Sequence, residues 1–202
     1  MNRILKDLHS DLEITLEAKN NLSIILNVLL EKLVKQSISL LHPKNFKHPG
    51  KNLPEGNKKQ LTVKEMTTSV RLLFPPTLRR YTLNEGDRVL KRLETSENIK
   101  TNTILSNLKL SVPKTRNIIE QYLPKGYDME PLVSVFTTTV LEYILCELLE
   151  LSGNNCKEDK KVRIKTEHIK KAVINDEELH SLLYESVGIS LPGEEKGNPT
   201  YL

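Results

Sequence analysis

The sequence predicts an all-α protein. Apolar residues recur at helical spacing over two long stretches, 16–41 and 131–151, and over several shorter ones between them. Glycine is scarce at 8 in 202, and no run alternates with the period of two that marks a strand. Leu and Ile dominate a hydrophobic content of 38%, with 4% aromatics and no Trp, a composition suited to helical bundles and lean for a deep catalytic pocket.

The first helix covers residues 3–10, with Ile4, Leu5 and Leu8 on one side. A link at 11–15 leads to a long helix from about Leu16 to Leu41, with Thr15 as its cap. Leu22, Ile25, Leu26, Leu29, Leu33, Ser37 and Leu40 keep the period, and Ile24, Val28 and Ile38 add apolar area elsewhere. A helix apolar on both sides is clasped by a partner. Residues 42–60 hold three Pro, two Gly and five Lys and read as an exposed loop. A short helix follows, with Thr62 and Glu65 as a capping box, and Pro75-Pro76 ends it. A further helix runs from about Asn84 to Leu93. Residues 94–107 are polar and helix-poor, a linker, and 108–119 open a second helical unit.

That second unit has the same order. Pro131 opens a long helix to Leu151, and Gly153 reads as its stop. Leu132, Val135, Phe136, Val140, Tyr143, Ile144, Leu148 and Leu151 form its apolar stripe. Glu142, Glu147 and Glu150 stand on the other face, spread over roughly 140°. The basic segment Lys160, Lys161, Arg163 and Lys165 comes next, then a short helix at 166–174 with Thr166 as its cap, then the acidic turn at 175–179.

Charge is divided. Residues 1–100 carry 18 Lys+Arg against 11 Asp+Glu, and residues 101–202 carry 12 against 15. A basic half and an acidic-faced half suit two kinds of partner, one of them a polyanion. Cys146 and Cys156 lie ten apart, Cys146 within the long helix, and read as reduced thiols, Cys146 as a buried small hydrophobe. No signal peptide or transmembrane run is read. The longest apolar stretch, near Leu22–Leu30, is short and interrupted by Asn27. Of His9, His42, His48, His168 and His180, only His42 and His48 are close, and no Cys is spaced to complete a metal site. No phosphate-binding glycine loop follows a strand. No enzyme constellation, metal or cofactor is read here.

Short strings carry a resemblance. VLEYILCELLELSGN, KKVRI and HIKKAVINDEEL, in that order and spacing, are similar to the middle and last helices of core histone 2A. RILKDLHSDLEIT and VKEMTTSVRLLFPPTLRRYTLNEGDRVLKRL resemble histone 2B, and the likeness covers almost all of residues 3–94. The chain therefore resembles the fused histone doublets of marseillevirus-group giant viruses. The resemblance implies two tandem histone folds clasped in an intramolecular handshake: residues 1–94 of 2B type, a linker at 95–107, residues 108–187 of 2A type and a tail at 188–202. The physical logic stands beside it. One such fold cannot bury both faces of its long helix, and covalent fusion makes the pairing unimolecular.

The resemblance also implies sites. DNA contact falls to Thr15, Lys58 and Lys59 in the first half, and to Lys114, Arg116, Lys125, Lys161, Arg163 and Lys165 in the second. Arg163 holds the place of an arginine that enters the minor groove, and Lys58 the matching place in the first half. Lys44, Lys47 and Lys51 in the loop are weaker candidates. Glu85, Glu142, Glu147, Glu150, Asp176, Glu177 and Glu178 match an acidic patch that docks an arginine of a partner protein, and Thr77 stands where the family has another glutamate. The bland alternatives are solvated lysines and a solvated helix face. Partners implied are double-stranded DNA and 3-type and 4-type histones, with no membrane, at chromatin in a virion, host nucleus or viral factory. The rival is a histone-fold transcription or architectural subunit acting outside a nucleosome. Against cellular histones the long basic N-terminal tails are missing, the 42–60 loop is about eleven residues longer, and the segment after Tyr184 is short. That shortness implies weaker docking and a less stable particle.

Overall fold

A computed structural model describes residues 1–41, 60–95 and 107–189. The expectations for the loop lysines Lys44, Lys47, Lys51, Lys58 and Lys59, for most of the linker and for the C-terminal tail fall outside them. The architecture is all-α, in two sets of short, long and short helices. The first set is α1 (Asn2–Leu8), α2 (Leu16–Leu41), α3 (Val63–Leu73) and α4 (Pro76–Glu94). The second is α5 (Val112–Tyr122), α6 (Pro131–Glu158), α7 (Thr166–Asn175) and α8 (Glu177–His180), followed by a π-helical segment, Ser181–Val187. Among the described residues four two-residue strands punctuate the helices: β1 (Glu13–Ile14), β2 (Gln60–Leu61), β3 (Asp128–Met129) and β4 (Arg163–Ile164). No strand was legible in the sequence, because two residues show no alternation and the partner lies far along the chain.

The strand pairs establish how the two sets meet. β1 runs parallel to β4 and β2 parallel to β3. Each pair takes one strand from each set, so the start of one set meets the end of the other. The pairs extend by backbone bonds: Glu13 N–H to Val162 O at 2.9 Å, Thr15 N–H to Ile164 O at 3.0 Å and Glu130 N–H to Leu61 O at 2.9 Å. Alternation turns Ile14, Leu61, Met129 and Ile164 inward, where all four are buried.

The core lies between the two long helices. From α2 come Leu22, Ile25, Leu29 and Leu33, and from α6 Phe136, Val140, Ile144, Leu145 and Leu148, all at 0% exposure. Helix α6 touches α1, α2, α3, α4, α5 and α7, which explains why its apolar residues circle the axis. Its buried Thr137, Thr138 and Thr139 donate their hydroxyls to carbonyls one turn back, at 2.7, 2.7 and 3.0 Å, so no polar atom there is stranded. Ser37 of α2 and Ser69 of α3 share a buried hydroxyl bond of 2.7 Å. By length and composition α6 could also cross a membrane, contrary to the reading that the longest apolar stretch lies near Leu22–Leu30; most of it is buried inside the fold, as a core helix is.

Several boundaries differ from expectation, the first being α1, which ends at Leu8 rather than at residue 10. Helix α6 does not stop at Gly153 but continues to Glu158. The glycine sits in the helix interior because the ring of His9, the residue that ends α1, rests on it. A Cβ there would lie 2.9 Å from His9 Cγ and closer still to Cδ2 and Nε2. Pro75-Pro76 ends α3, but Pro76 also takes the first turn of α4, which starts eight residues earlier than expected. Thr166 is not the cap of α7: Lys165 precedes it as the cap residue, and its N–H bonds to His168 Nδ1 at 3.0 Å. Elsewhere the expected caps hold. Thr15 Oγ1 accepts from Ala18 N–H at 3.2 Å, and Thr62 with Glu65 forms the capping box.

A second glycine repeats the pattern in reverse. Gly86 of α4 lies under the ring of Phe136 of α6, and a Cβ there would come 2.5 and 2.8 Å from two ring carbons. One set therefore seats a ring of the other at each of these two glycines.

Candidate nucleic-acid interface and acidic face

Pairing of β1 with β4 gathers four of the expected cationic or capping residues on one edge. Thr15 follows β1, while Lys161, Arg163 and Lys165 surround β4; the three basic side chains are exposed. Lys160, with φ of +54°, closes the turn that leads in. The guanidinium of Arg163 is engaged within the chain: Nη2 and Nε donate to one oxygen of Glu13, at 2.7 and 3.1 Å. Lys165 lies 3.6 Å from Glu167.

The other edge is less basic among the described residues. Gln60 stands opposite Asp128 as Arg163 stands opposite Glu13. Lys125 is exposed in the turn before β3. Lys114 and Arg116 lie in the first turns of α5, outside both strand pairs. Lys114 borders a cleft with Ser23, Asn27 and Leu30 of α2, and Arg116 is paired to Glu120 at 2.7 Å. The structure thus brings Thr15, Lys161, Arg163 and Lys165 together and leaves Lys114, Arg116 and Lys125 apart from them.

Helix N-termini attract anions through their open N–H groups, but here several are taken. At α3, Thr62 N–H donates to Glu65 at 3.0 Å, Val63 N–H to Glu130 at 3.1 Å and Lys64 N–H to Thr62 Oγ1 at 3.2 Å. At α7, Thr166 faces α2, accepting from Asn21 Nδ2 at 2.8 Å and donating to Glu17 at 3.1 Å. His168, 1% exposed, accepts at Nδ1, so its proton sits on Nε2, 3.5 Å from Asp159.

On the acidic face, several carboxylates also hold backbone N–H groups. Glu178 accepts from Thr77 and Leu78 at 2.8 and 2.6 Å and so caps α4 from 100 residues away. Burial works to raise its carboxyl, and these bonds outweigh it, leaving the group below the usual carboxylate range. Glu142 accepts from Lys109 and Leu110 at 2.6 and 2.8 Å, and Asp176 from Leu179 at 2.7 Å. Glu85 is paired with Arg88. Glu150 and Glu177 are exposed.

A cavity of about 320 Å³ is lined by Glu147, Asp176 and Glu178 together with Tyr81, Tyr143, Thr77, Leu78 and Leu179. Glu85, Glu142, Glu150 and Glu177 do not line it. The two tyrosines were not read as site residues. The signal was present: Tyr143 precedes Glu147, and Tyr81 follows Thr77, by one helical turn. Burial and the hydrogen bond to Glu147 push the Tyr143 hydroxyl far up, so it stays a donor. Cys146, half-buried rather than buried, is pushed up to about 12 by burial and by Glu142, Glu147 and Glu150. Those three carboxylates thus project their field across the face. Among the described residues no group of three His, Cys, Asp or Glu is placed to hold a metal.

No family model matches the chain. It is similar over 95% of its length to the histone doublet of 2B–2A type from Melbournevirus, at 27% identity and covering 68% of that protein. Shorter stretches are similar to a probable histone 2A of Arabidopsis thaliana, 42% identical over 87 residues, and to a histone 2A of Chlamydomonas reinhardtii, 46% identical over 70. These stretches are 42% and 33% of this chain and span 64% and 54% of those histones.

Proposed function

We propose that this chain, a histone doublet joining a 2B-type and a 2A-type fold in one polypeptide, binds and bends double-stranded DNA without sequence preference as one pseudo-dimer of a nucleosome-like particle. The histone relatives support DNA packaging, not catalysis. The observation that carries the reading is the β1–β4 edge. There a strand from each set meets, and Lys161, Arg163 and Lys165 lie exposed beside the half-buried Thr15, a cluster suited to phosphate contact. Lys58, Lys59, Lys114, Arg116 and Lys125 are the further contacts of this reading.

Two copies would flank a tetramer equivalent of 3-type and 4-type histones. An octamer wraps roughly 146–147 bp, so each pseudo-dimer would hold about a quarter. The joined helices α2 and α3 expose Leu40 and Leu72, which favours a further protein partner there. The tyrosine-walled cavity with Glu147, Asp176 and Glu178 favours docking of an arginine from a chromatin-bound protein, with Glu85, Glu142, Glu150 and Glu177 supplying field around it. The working site is then viral chromatin, in the virion, host nucleus or viral factory.

Nuclease digestion of DNA reconstituted with this chain, with and without 3-type and 4-type histones, tests the reading. Discrete protected lengths appear only in the mixture; a smear in both refutes it. The rival, a factor acting on DNA outside a nucleosome, predicts that a chosen duplex outcompetes random duplex.

A further inference from the structure

The edge that best fits a phosphate is already holding a carboxylate. β1 and β4 are in register, Glu13 beside Arg163 and Ile14 beside Ile164. Because Ile14 and Ile164 turn into the core, alternation forces Glu13 and Arg163 out together on neighbouring strands. The pairing is therefore set by the backbone and is not a chance meeting of long side chains. Both nitrogens on one side of the guanidinium fork, Nε and Nη2, converge on Glu13 Oε2. That same side offers a phosphate its two parallel donors.

The rest of the edge offers no second planar, two-donor fork like this arginine's. Leu16, three residues after Glu13, and Val162, next to Arg163, are 73% and 71% exposed, and their side chains present no donor. Asp11 takes up Lys157 at 3.0 Å, and Glu167 lies 3.6 Å from Lys165. Among the described residues Lys160 and Lys161 make no such pair. The opposite edge differs: Asp128 faces Gln60 and turns back to its own chain, accepting from Met129 N–H at 2.7 Å.

We propose that the β1–β4 edge is a self-quenched contact for duplex DNA, in which Glu13 occupies the phosphate-binding side of Arg163 until a backbone phosphate displaces it. This rests on the DNA-binding reading above. The pair is open to solvent, with side chains 61% and 63% exposed, and an exposed ion pair is weak, so displacement is feasible. Lys160 and Lys161 make the first contact. Arg163 adds its grip only where the phosphate also overcomes the carboxylate. A dense row of phosphates does so more readily than an isolated anion.

The test is binding of the full chain to a random-sequence duplex across a salt series, for the wild type, Glu13→Gln, Arg163→Gln and the double variant. Circular dichroism and melting confirm that all four fold. Glu13→Gln should bind about three- to tenfold tighter at moderate salt, as expected for freeing a weak exposed pair and one phosphate contact. Its slope of log K on log salt should steepen by about one. In the Arg163→Gln background the same change should gain less than about twofold. Equal gains in both backgrounds would show Glu13 acting only as a repelling charge and overturn the proposal, as would no gain at all in a wild type that binds. Failure of both the wild type and Glu13→Gln to bind duplex overturns the DNA-binding reading itself, and this proposal with it.

Discussion

Replacement of Gly153 by Ala sets two effects of opposite sign against each other. In a free helix the change stabilises by about 0.5–1 kcal/mol, since glycine has more backbone freedom to lose. Here the new methyl would fall on the ring of His9, which is 7% exposed and bonded through Nε2 to the carbonyl of Glu150 at 3.1 Å. No small shift relieves that overlap, so the ring must leave its seat. Overpacking of this kind costs about 1–3 kcal/mol, and loss of the hydrogen bond about 0.5–1.5. Taking the middle of each range leaves a net loss of about 2 kcal/mol, or about 4–8 °C in Tm for a chain this size. Thermal and urea unfolding of the full chain measure it. The sharper arm is the His9→Ala background, where the clash is gone and Gly153→Ala should turn stabilising. A variant as stable as the wild type, or a loss that persists without the His9 ring, would refute the claim that α1 is seated on α6 through this glycine.

Gly86→Ala should cost more, about 2–3 kcal/mol, because Phe136 is fully buried and has nowhere to go; the urea midpoint reports it. Glu178→Ala should cost about 1 kcal/mol through loss of the α4 cap, whereas Glu177→Ala should change little, as paired melts will show. Since the folded Glu178 carboxyl lies below its ordinary value of 4.5, its contribution is full above that pH and is lost as pH falls through the depressed folded value. The gap in urea midpoint between wild type and Glu178→Gln should therefore close as the pH falls below 4.5 and through the depressed folded value. A gap that widened would reverse the sign. Cys146, at about 12, should react slowly with iodoacetamide at pH 8, and faster when Glu142, Glu147 and Glu150 are all made Gln.

Local chemistry announced much of this fold. The span Leu16–Leu41, the cap at Thr15 and the box of Thr62 with Glu65 all follow from spacing that neighbours in sequence enforce. What the sequence hid was set by distant residues. Gly153 looks like a stop because glycine usually is one; only the ring of residue 9 makes it an interior residue. Pro76 looks like a terminator because nothing nearby shows that Glu178 will hold the N–H groups of Thr77 and Leu78. The acidic residues show as one surface in sequence, yet Glu142 and Glu178 already have backbone partners, and Tyr81 and Tyr143 line one cavity with Glu147, Asp176 and Glu178 only after folding. Arg163 is legible as a cation, but its neighbour Glu13 lies 150 positions away.

The two glycine seats have a consequence for assembly. His9 fills a notch in the second set of helices, and Phe136 fills one in the first. Such complementarity is blind to which molecule supplies the ring. At high concentration a crossed arrangement, each chain lending one part to its neighbour, satisfies the same notches. Entanglement of neighbouring chains is then limited only by how fast the tethered parts find each other first.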